Sequence, residues 1–204
     1  GDWGNQFGYL LNYIEINQIQ IENNSELTTA YKNAYKKYCE DPDFAIKSNE
    51  IATLLQSHCE PYYSLWKKCC DISITEMNSI TSEFGLKINE KDIKGESFYA
   101  PNLPFIEQLL KNAGVIEVGE DGSIVYKTNK NYPLMLKKSN GAYLYAMYDI
   151  AAIYYRIQTY NPDQIIYVVD KRQSDHFKAV FELCTKMNWS NHVKFKHVAF
   201  GFIV

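Results

Sequence analysis

The fold of this chain is decided by Ile165-Ile166-Tyr167-Val168-Val169-Asp170 and the polar stretch that follows it, Lys171-Arg172-Gln173-Ser174-Asp175-His176-Phe177. A continuous apolar run rich in β-branched residues predicts a strand at 164–170 that is covered on both faces, as in a parallel sheet. Apolar residues then recur with helical spacing over 175–187, and a second strand is predicted at 193–204. Strand, helix and strand in this order predict an α/β fold of the nucleotide-binding type.

Upstream of this unit, a helix is predicted from Ala146, with Tyr145 and Asp149 near its start. Because they are four residues apart, these two side chains project from the same side of the helix or its entry turn. A guanidinium has a planar fork of donors that fits a carboxylate bidentately, so an arginine-like ligand would suit the pair. Two structural roles without a ligand stay open: Asp149 can be a carboxylate in the first turn of a helix, where it interacts favourably with the helix dipole, and Tyr145 can be a hairpin residue.

Asp170, Gln173 and His176 follow the carboxyl end of the predicted strand, where ligands bind in open α/β sheets. Gln173 carries a carbonyl and an amino group for the zwitterionic end of a substrate. His176 lies in the first turn of a helix, where backbone donors and the dipole favour phosphate. The set predicts an amino acid beside a nucleotide, although Ser174 or Asp175 can also be read as a helix N-cap.

The rest of the chain predicts a helical block followed by a mixed, mostly antiparallel segment. Before residue 86, helical spacing predicts three helices, at 26–39, 43–57 and about 61–84, with Gly85 ending the last. The segment from 86 to 142 predicts a short helix at 102–113 and two hairpins, at 115–127 around Asp121-Gly122 and at 134–145 around Asn140-Gly141.

Composition narrows the class of protein. The chain has 204 residues, 46% of them hydrophobic, which is enough for a sizeable core. Its 21 Lys and Arg against 24 Asp and Glu give a net charge of -3, so no overall basic field indicates nucleic-acid binding and any RNA contact would be local. The sequence contains neither a long apolar run nor a signal-peptide pattern, so a cytoplasmic protein with no membrane partner is expected.

Cysteine usage predicts reduced thiols rather than a metal site. The chain has 5 cysteines, and no two of them have C-x-x-C spacing. His58, Cys59, Cys69 and Cys70 are a conceivable zinc set, but adjacent ligands do not match the usual finger spacings. Small apolar residues on helix faces are the favoured interpretation, and no protein-bound metal is predicted.

Five segments, in order along the chain, resemble the arginyl-tRNA synthetases. They are Gly1-Asp2-Trp3-Gly4-Asn5-Gln6-Phe7-Gly8, Gly95-Glu96-Ser97-Phe98-Tyr99, Lys138-Ser139-Asn140-Gly141-Ala142-Tyr143-Leu144-Tyr145, Asp149-Ile150-Ala151-Ala152-Ile153, and Ile166-Tyr167-Val168-Val169-Asp170 through Gln173-Ser174-Asp175-His176-Phe177. The resemblance implies part of a class I, Rossmann-like nucleotide-binding fold with a mixed α+β insertion. Such an enzyme activates L-arginine with ATP, whose counter-ion is Mg, to arginyl-adenylate. It then transfers the arginyl group to the 3'-terminal adenosine of an arginine tRNA.

The resemblance also implies roles for individual residues. Asp149 and Tyr145 would hold the guanidinium of arginine, and Gln173 would hold its backbone end. Tyr145 is also where the terminal adenine of the tRNA would stack, with Glu96 near that adenosine. ATP and the adenylate would lie near three residues, His176, Gly201 and Phe202.

Domain boundaries follow from the same resemblance. Residues 1–12 would end the first half of the nucleotide-binding fold, and residues 136–204 would form its second half. Residues 13–135 would be the insertion between the halves, which by analogy approaches the acceptor end of tRNA. Because a buried carboxylate meant for a guanidinium is left unpaired by uncharged competitors, no second editing site is expected.

Some positions depart from the family pattern. Asn140 and Ala142 lie in a turn that usually reads Asp-Gly-Gly. Lys171-Arg172 replaces a pair whose second residue is usually glycine, and a solvated loop is expected there. Met147-Tyr148 stand where small hydroxyl residues are common. None of these departures removes a proposed ligand.

The HIGH-type and KMSKS-like signatures of the family are not in the chain, which opens at Gly1 without methionine and closes on strand-like residues 200–204. We therefore expect an excised catalytic-domain piece that does not make arginyl-adenylate at a useful rate by itself. Exposed apolar surface would favour self-association, and the oligomeric state stays open. Two other interpretations also stay open: a non-catalytic module that binds arginine or an RNA end, and an unrelated nucleotide-binding domain.

Overall fold

The computed structural model of the chain describes residues 1–129 and 133–201. The chain divides into two compact units between Ser97 and Phe98. The boundaries predicted at residues 12 and 135 concern an insertion within a parent fold rather than compactness, and they stay a prediction. Among the described residues, no helix has the length and apolar character needed to cross a membrane.

The first unit is built largely from four helices, and three of them confirm the predicted helical block. The sequence supplies start signals for two: Asn23 accepts a hydrogen bond from the Glu26 amide, and Asp41 accepts one from the Phe44 amide. Gly85, at φ 68°, follows the last helix as its predicted stop. The helices are α1 (Asn5–Asn17), α2 (Asn24–Glu40), α3 (Pro42–Gln56) and α4 (Tyr62–Glu83).

Helix α1 is not predicted by the sequence pattern, because it lacks a side-chain N-cap and contains Gly8. The structure shows why a glycine stands there. A Cβ at residue 8 would lie 2.2 Å from the backbone oxygen of Ser48 and 2.8 Å from the Cβ of Ala52, so α1 and α3 approach closely. Buried Asn12 donates to Oγ of Ser48 at 3.0 Å, which satisfies a polar group inside this contact.

The second unit mixes helices and strands, as the α/β prediction requires. A four-residue helix, α5 (Glu96–Tyr99), spans the division between the units. The elements after it are α6 (Leu103–Asn112), β1 (Glu117–Val118), β2 (Ile124–Tyr126), β3 (Leu134–Lys137), α7 (Tyr145–Tyr160), β4 (Gln164–Asp170), α8 (Ser174–Lys186) and β5 (Lys194–Phe200). The predicted helices near 102–113 and 175–187 are confirmed, as is the helix predicted from residue 146.

Strands β1, β2 and β3 form an antiparallel sheet in that order. The hairpin predicted around Gly122 is confirmed, because β1 pairs with β2. The hairpin predicted at 134–145 is confirmed near its turn: Lys138 donates to the backbone oxygen of Ala142, Leu144 donates to that of Leu136, and an antiparallel bridge joins Lys137 to Tyr143. Its second arm is short because α7 begins at Tyr145, and β3 pairs along its length with β2. Gly141, at φ 87°, makes the predicted turn, but the chain then enters a helix rather than a strand.

Strands β4 and β5 are parallel and in register, ending with Asp170 beside Phe200, which confirms the strand–helix–strand unit. Ile165 on one face of β4 is buried. The expectation that both faces are covered is wrong for the described residues, because Ile166 is 51% exposed and Val168 is 65% exposed on the other face. The strand predicted at 193–204 corresponds to β5, and residues 202–204 of that stretch lie outside the described residues.

The core of the second unit lies among α6, α7, α8 and the strands. The apolar positions that predict α7, namely Ile150, Ile153 and Ile157, are buried. They pack with residues of β3 and α8 such as Leu136 and Leu183. This packing fixes the direction of α7, so the start of the helix is held by the core rather than by a side-chain cap.

Candidate functional site

The start of α7 positions the first two candidate residues. Tyr145 is the first residue of the helix and is 59% exposed. Asp149 lies one turn later, beyond the first turn, which holds no acidic residue. The alternatives of a hairpin tyrosine and a first-turn carboxylate are therefore wrong, and both side chains remain available to bind a ligand.

The start of α8 brings His176 to Asp149. The Nε2 atom of His176 lies 2.6 Å from Oδ2 of Asp149. The His176 side chain is 8% exposed and the Asp149 side chain is 28% exposed. Because an ionised carboxylate can only accept a hydrogen bond, the proton between them belongs to Nε2. Two residues expected to serve different ligands thus contact each other directly.

Aromatic rings surround the imidazole of His176. The ring of Tyr145 lies 4.7 Å from it between centroids, at an interplanar angle of 53°. The ring of Phe177 lies 5.0 Å away in an edge-to-face arrangement. The imidazole thus packs between aromatic rings with Nε2 towards the carboxylate of Asp149.

Two buried polar atoms at this edge of the parallel sheet have no partner among the described residues: Nδ1 of His176 and Oδ2 of Asp170. A buried polar atom without a partner costs stability, so such atoms indicate a place where a ligand or water completes the hydrogen bonding. The other oxygen of Asp170, Oδ1, accepts from the backbone N and the Nε of Arg172, at 2.8 and 2.9 Å. Burial raises the pKa of Asp170, but the bonds from Arg172 outweigh it and lower the pKa below its usual range.

Gln173 and Gly201 both follow the carboxyl ends of the paired strands β4 and β5, and no hydrogen bond among the described residues joins Gln173 to Asp149 or Tyr145. Gln173 ends the turn after β4, is exposed, and makes no capping hydrogen bond at the start of α8. Ser174 instead donates to the backbone oxygen of Lys171, so the N-cap alternative for Ser174 or for Asp175 is wrong. Gly201 follows β5 directly.

The remaining predicted positions are Phe202, Glu96 and the pair Lys171-Arg172. Phe202 lies outside the described residues. Glu96 belongs to the first unit, where its carboxylate fills the space beside Gly1 that a Cβ would occupy. The expectation of a solvated loop agrees with the exposure of Lys171 and Arg172, although the Nε of Arg172 also pairs with Asp170 at 2.9 Å.

Asp2 and Ser97, which belong to two of the family-like segments, join parts of the first unit that are far apart in sequence. The carboxylate of Asp2 accepts from the Ser97 amide at 3.1 Å and from the Ser97 hydroxyl at 2.6 Å. The indole nitrogen of Trp66 donates to the backbone oxygen of Asp2 at 2.6 Å. Two of the segments that carry the family resemblance therefore hold each other in place.

A buried carboxylate that sequence reasoning missed supports the segment leading into α7. Glu107 accepts from Lys111 at 2.6 Å, from Lys137 at 2.9 Å and from the hydroxyl of Tyr143 at 2.7 Å. Burial raises the pKa of Glu107, but these three bonds outweigh it and lower the pKa to about 2. The one signal in the sequence is the four-residue spacing of Glu107 and Lys111.

His58, Cys59, Cys69 and Cys70, the conceivable zinc ligands, are not arranged as a metal site in the structure. The imidazole of His58 packs against the rings of Trp3 and Tyr63. Within residues 1–129 and 133–201, no group of three or more His, Cys, Asp or Glu side chains is arranged to hold a metal ion. Two cavities, of about 560 and 590 Å³, are lined by residues of the first unit, and none of the candidate arginine-binding residues lines them.

The family comparison covers the entire sequence. Residues 1–204 match the family described as class I tRNA synthetases (R), catalytic domain. The chain belongs to this family of arginyl-tRNA synthetases. The predicted family is thereby confirmed.

Individual synthetases show the same relationship. The arginine–tRNA ligase of Crocosphaera subtropica is 37% identical over 216 residues, covering 100% of this chain and 36% of that protein. The arginine–tRNA ligase of Acanthamoeba polyphaga mimivirus is 34% identical over 204 residues, covering 100% and 34%. The chain therefore spans little more than a third of the length of these synthetases.

Solved synthetase structures agree with the fold. The arginyl-tRNA synthetase of Plasmodium falciparum is 36% identical, with a TM-score of 0.83, and the match covers 100% of this chain and 35% of that one. The arginyl-tRNA synthetase of Thermus thermophilus is 16% identical, with a TM-score of 0.66 over 98% of this chain and 40% of that one. The latter likeness shows the fold alone, and together the two confirm the predicted α/β class I synthetase fold.

Proposed function

We propose that this chain carries the amino-acid site of an arginine–tRNA ligase, with the guanidinium of L-arginine held by Asp149 and Tyr145. The observation that carries the proposal is the partly exposed Asp149 carboxylate. It contacts His176 at the start of α8, which follows the carboxyl end of β4, and the exposed phenol ring of Tyr145 packs against the same imidazole. A carboxylate in this setting supplies the charge and the planar acceptors that a guanidinium requires.

The other substrates are assigned around this position. Gln173, exposed and without a capping bond, would bind the amino or carboxylate end of arginine. ATP, with Mg on its phosphates, would lie beside His176, Gly201 and Phe202. The 3'-terminal adenosine of the arginine tRNA would use the exposed ring of Tyr145, with Glu96 near that adenosine. The reaction would form arginyl-adenylate and then pass the arginyl group to the tRNA.

Selectivity for arginine follows from the charge of Asp149. An uncharged competitor of the same shape would leave the carboxylate unpaired, and an unpaired polar group in a ligand site gives large discrimination. Citrulline is the matched probe, because it replaces the guanidinium by a neutral urea. A second, editing site is not needed for such a difference.

Asp149→Ala in the full-length protein tests the assignment. We expect the dissociation constant for arginine to rise by at least about a hundredfold, because a charged hydrogen-bonded pair is lost. The preference for arginine over citrulline should shrink to near unity. Arginine affinity measured by calorimetry and arginine-dependent pyrophosphate exchange report the two effects.

Asp163→Ala is the matched control, since it removes an exposed acid at the opposite, amino end of β4. Its arginine affinity should stay within about twofold of the parent protein. Unchanged arginine affinity in Asp149→Ala would remove this residue from the site and with it the proposed guanidinium contact.

A further inference from the structure

The contact between His176 and Asp149 leaves most of the carboxylate's hydrogen-bonding capacity free for a ligand. Each oxygen of a carboxylate has two lone-pair sites, so Asp149 offers four. The Nε2 atom of His176 occupies one site on Oδ2, at 2.6 Å. Three sites remain, which is enough for a guanidinium to form two parallel hydrogen bonds with the same carboxylate.

The imidazole is well placed to hold the carboxylate still. Its side chain is 8% exposed, against 28% for Asp149, so the histidine is the more deeply buried partner. The rings of Tyr145 and Phe177 flank it at 4.7 and 5.0 Å. No partner of Oδ1 of Asp149 is found among the described residues, so the bond to His176 is the contact that sets the plane of the carboxylate.

We propose that His176 is a positioning residue that fixes the plane of the Asp149 carboxylate for a guanidinium ligand. The inference rests on the proposed function of Asp149 and deepens it. A fork of two parallel bonds needs the carboxylate plane aligned with the plane of the guanidinium, and a freely rotating carboxylate would lose that alignment. The histidine acts on arginine through Asp149, and its other nitrogen, Nδ1, remains available to another group.

Three substitutions at position 176 separate this role from other uses of the ring. His176→Phe keeps an aromatic ring beside Tyr145 and Phe177 and removes the donor. His176→Gln places an amide nitrogen close to the position of Nε2, so the bond to Asp149 can re-form. His176→Asn places its amide near the position of Nδ1, which faces away from Asp149.

The dissociation constant for arginine, measured by calorimetry on the full-length protein without ATP, is the readout. Omitting ATP excludes any contribution from contacts with the nucleotide. We expect His176→Phe and His176→Asn to weaken arginine binding roughly ten- to hundredfold, by analogy with the loss of groups that orient metal ligands. His176→Gln should return it to within about threefold of the parent protein.

A double-mutant cycle tests whether the effect passes through the carboxylate. In an Asp149→Ala background, adding His176→Phe should change arginine affinity by less than about twofold, because the positioned group is already absent. A further large loss would show that His176 contacts arginine by itself and would overturn the positioning role. The positioning role is also wrong if His176→Phe alone leaves arginine affinity unchanged, or if asparagine restores it and glutamine does not.

The design distinguishes failure of this inference from failure of the proposed function. If Asp149→Ala weakens arginine binding and His176→Phe does not, the positioning role alone is wrong. If Asp149→Ala itself has no effect, the guanidinium site is wrong. Thermal melts identify a variant that does not fold. Should His176→Phe fail in this way, the comparison of glutamine with asparagine, two polar side chains that differ in reach, decides the question.

Discussion

The Glu107 network offers a stability prediction whose size can be worked out from the structure. This carboxylate is 8% exposed and accepts hydrogen bonds from Lys111, Lys137 and Tyr143. Its pKa falls from about 4.5 to about 2 on folding. A lowering of this size corresponds to about 3 kcal/mol of stability at neutral pH.

The pH dependence has a defined sign. Because the folded-state pKa of Glu107 is depressed, its contribution is fully present above the unfolded value near 4.5 and is lost as pH falls towards 2. About half of the contribution should remain near pH 3. Glu107→Gln, which keeps the shape but removes the charge, should therefore be less stable by about 3 kcal/mol at pH 7, and this deficit should shrink on acidification.

Urea unfolding followed by circular dichroism at pH 7, 5 and 3 measures the deficit. Glu117→Gln is the matched control in the same unit, because Glu117 pairs with Lys127 at 2.7 Å while both side chains are more than half exposed. An exposed pair of this kind contributes less than about 1 kcal/mol. A deficit for Glu107→Gln that stays constant from pH 7 to pH 3, or that matches the control, would refute the role assigned to the buried charge.

Two further predictions concern the first unit and the thiols. Asp2→Ala should lower the free energy of unfolding by about 1–3 kcal/mol, since it leaves the Ser97 amide and hydroxyl without their acceptor; a Tm equal to that of the parent protein would contradict this. Burial raises the pKa of Cys69 to about 11. Burial, and to a smaller extent the charge of Asp149, also raises the pKa of Cys184. Iodoacetamide labelling of the folded protein at pH 8 should therefore modify the exposed thiol of Cys39 and spare the buried thiols of Cys69 and Cys184. Peptide mass spectrometry reads the labelling, and modification of Cys184 at the rate of Cys39 would show that its environment is open.

Strand β4 illustrates what the sequence can predict. Its bounds, 164–170, follow from a continuous apolar run ended by polar residues, and the structure has the same bounds. Helical spacing likewise predicts α2, α3 and α4, with Gly85 as the stop signal of the last. Helix α1 could not be found in this way, because Gly8 reduces helix propensity locally and is explained only by the approach of α3.

The sequence can nominate candidate site residues, which stay a prediction, but it cannot give their arrangement. Position along the chain places Tyr145, Asp149, Gln173 and His176 near the carboxyl edge of the sheet. The bond between Asp149 and His176 depends on how α7 packs against α8, which no local pattern encodes. The three donors around Glu107 come from two different elements and a loop, so the same limit applies to them.

The bond between Asp2 and Ser97 closes almost a hundred residues of chain into a loop whose two ends touch. Because the two ends of this segment contact each other, changes of length between them need not separate Asp2 from Ser97. Insertions and deletions in the connections between helices α1 to α4 should therefore be tolerated during divergence, while substitutions at residues 2 and 97, or length changes inside the closely packed α1 and α3, should not. The connections are free to vary in length as long as the Asp2–Ser97 contact and the helix packing are kept.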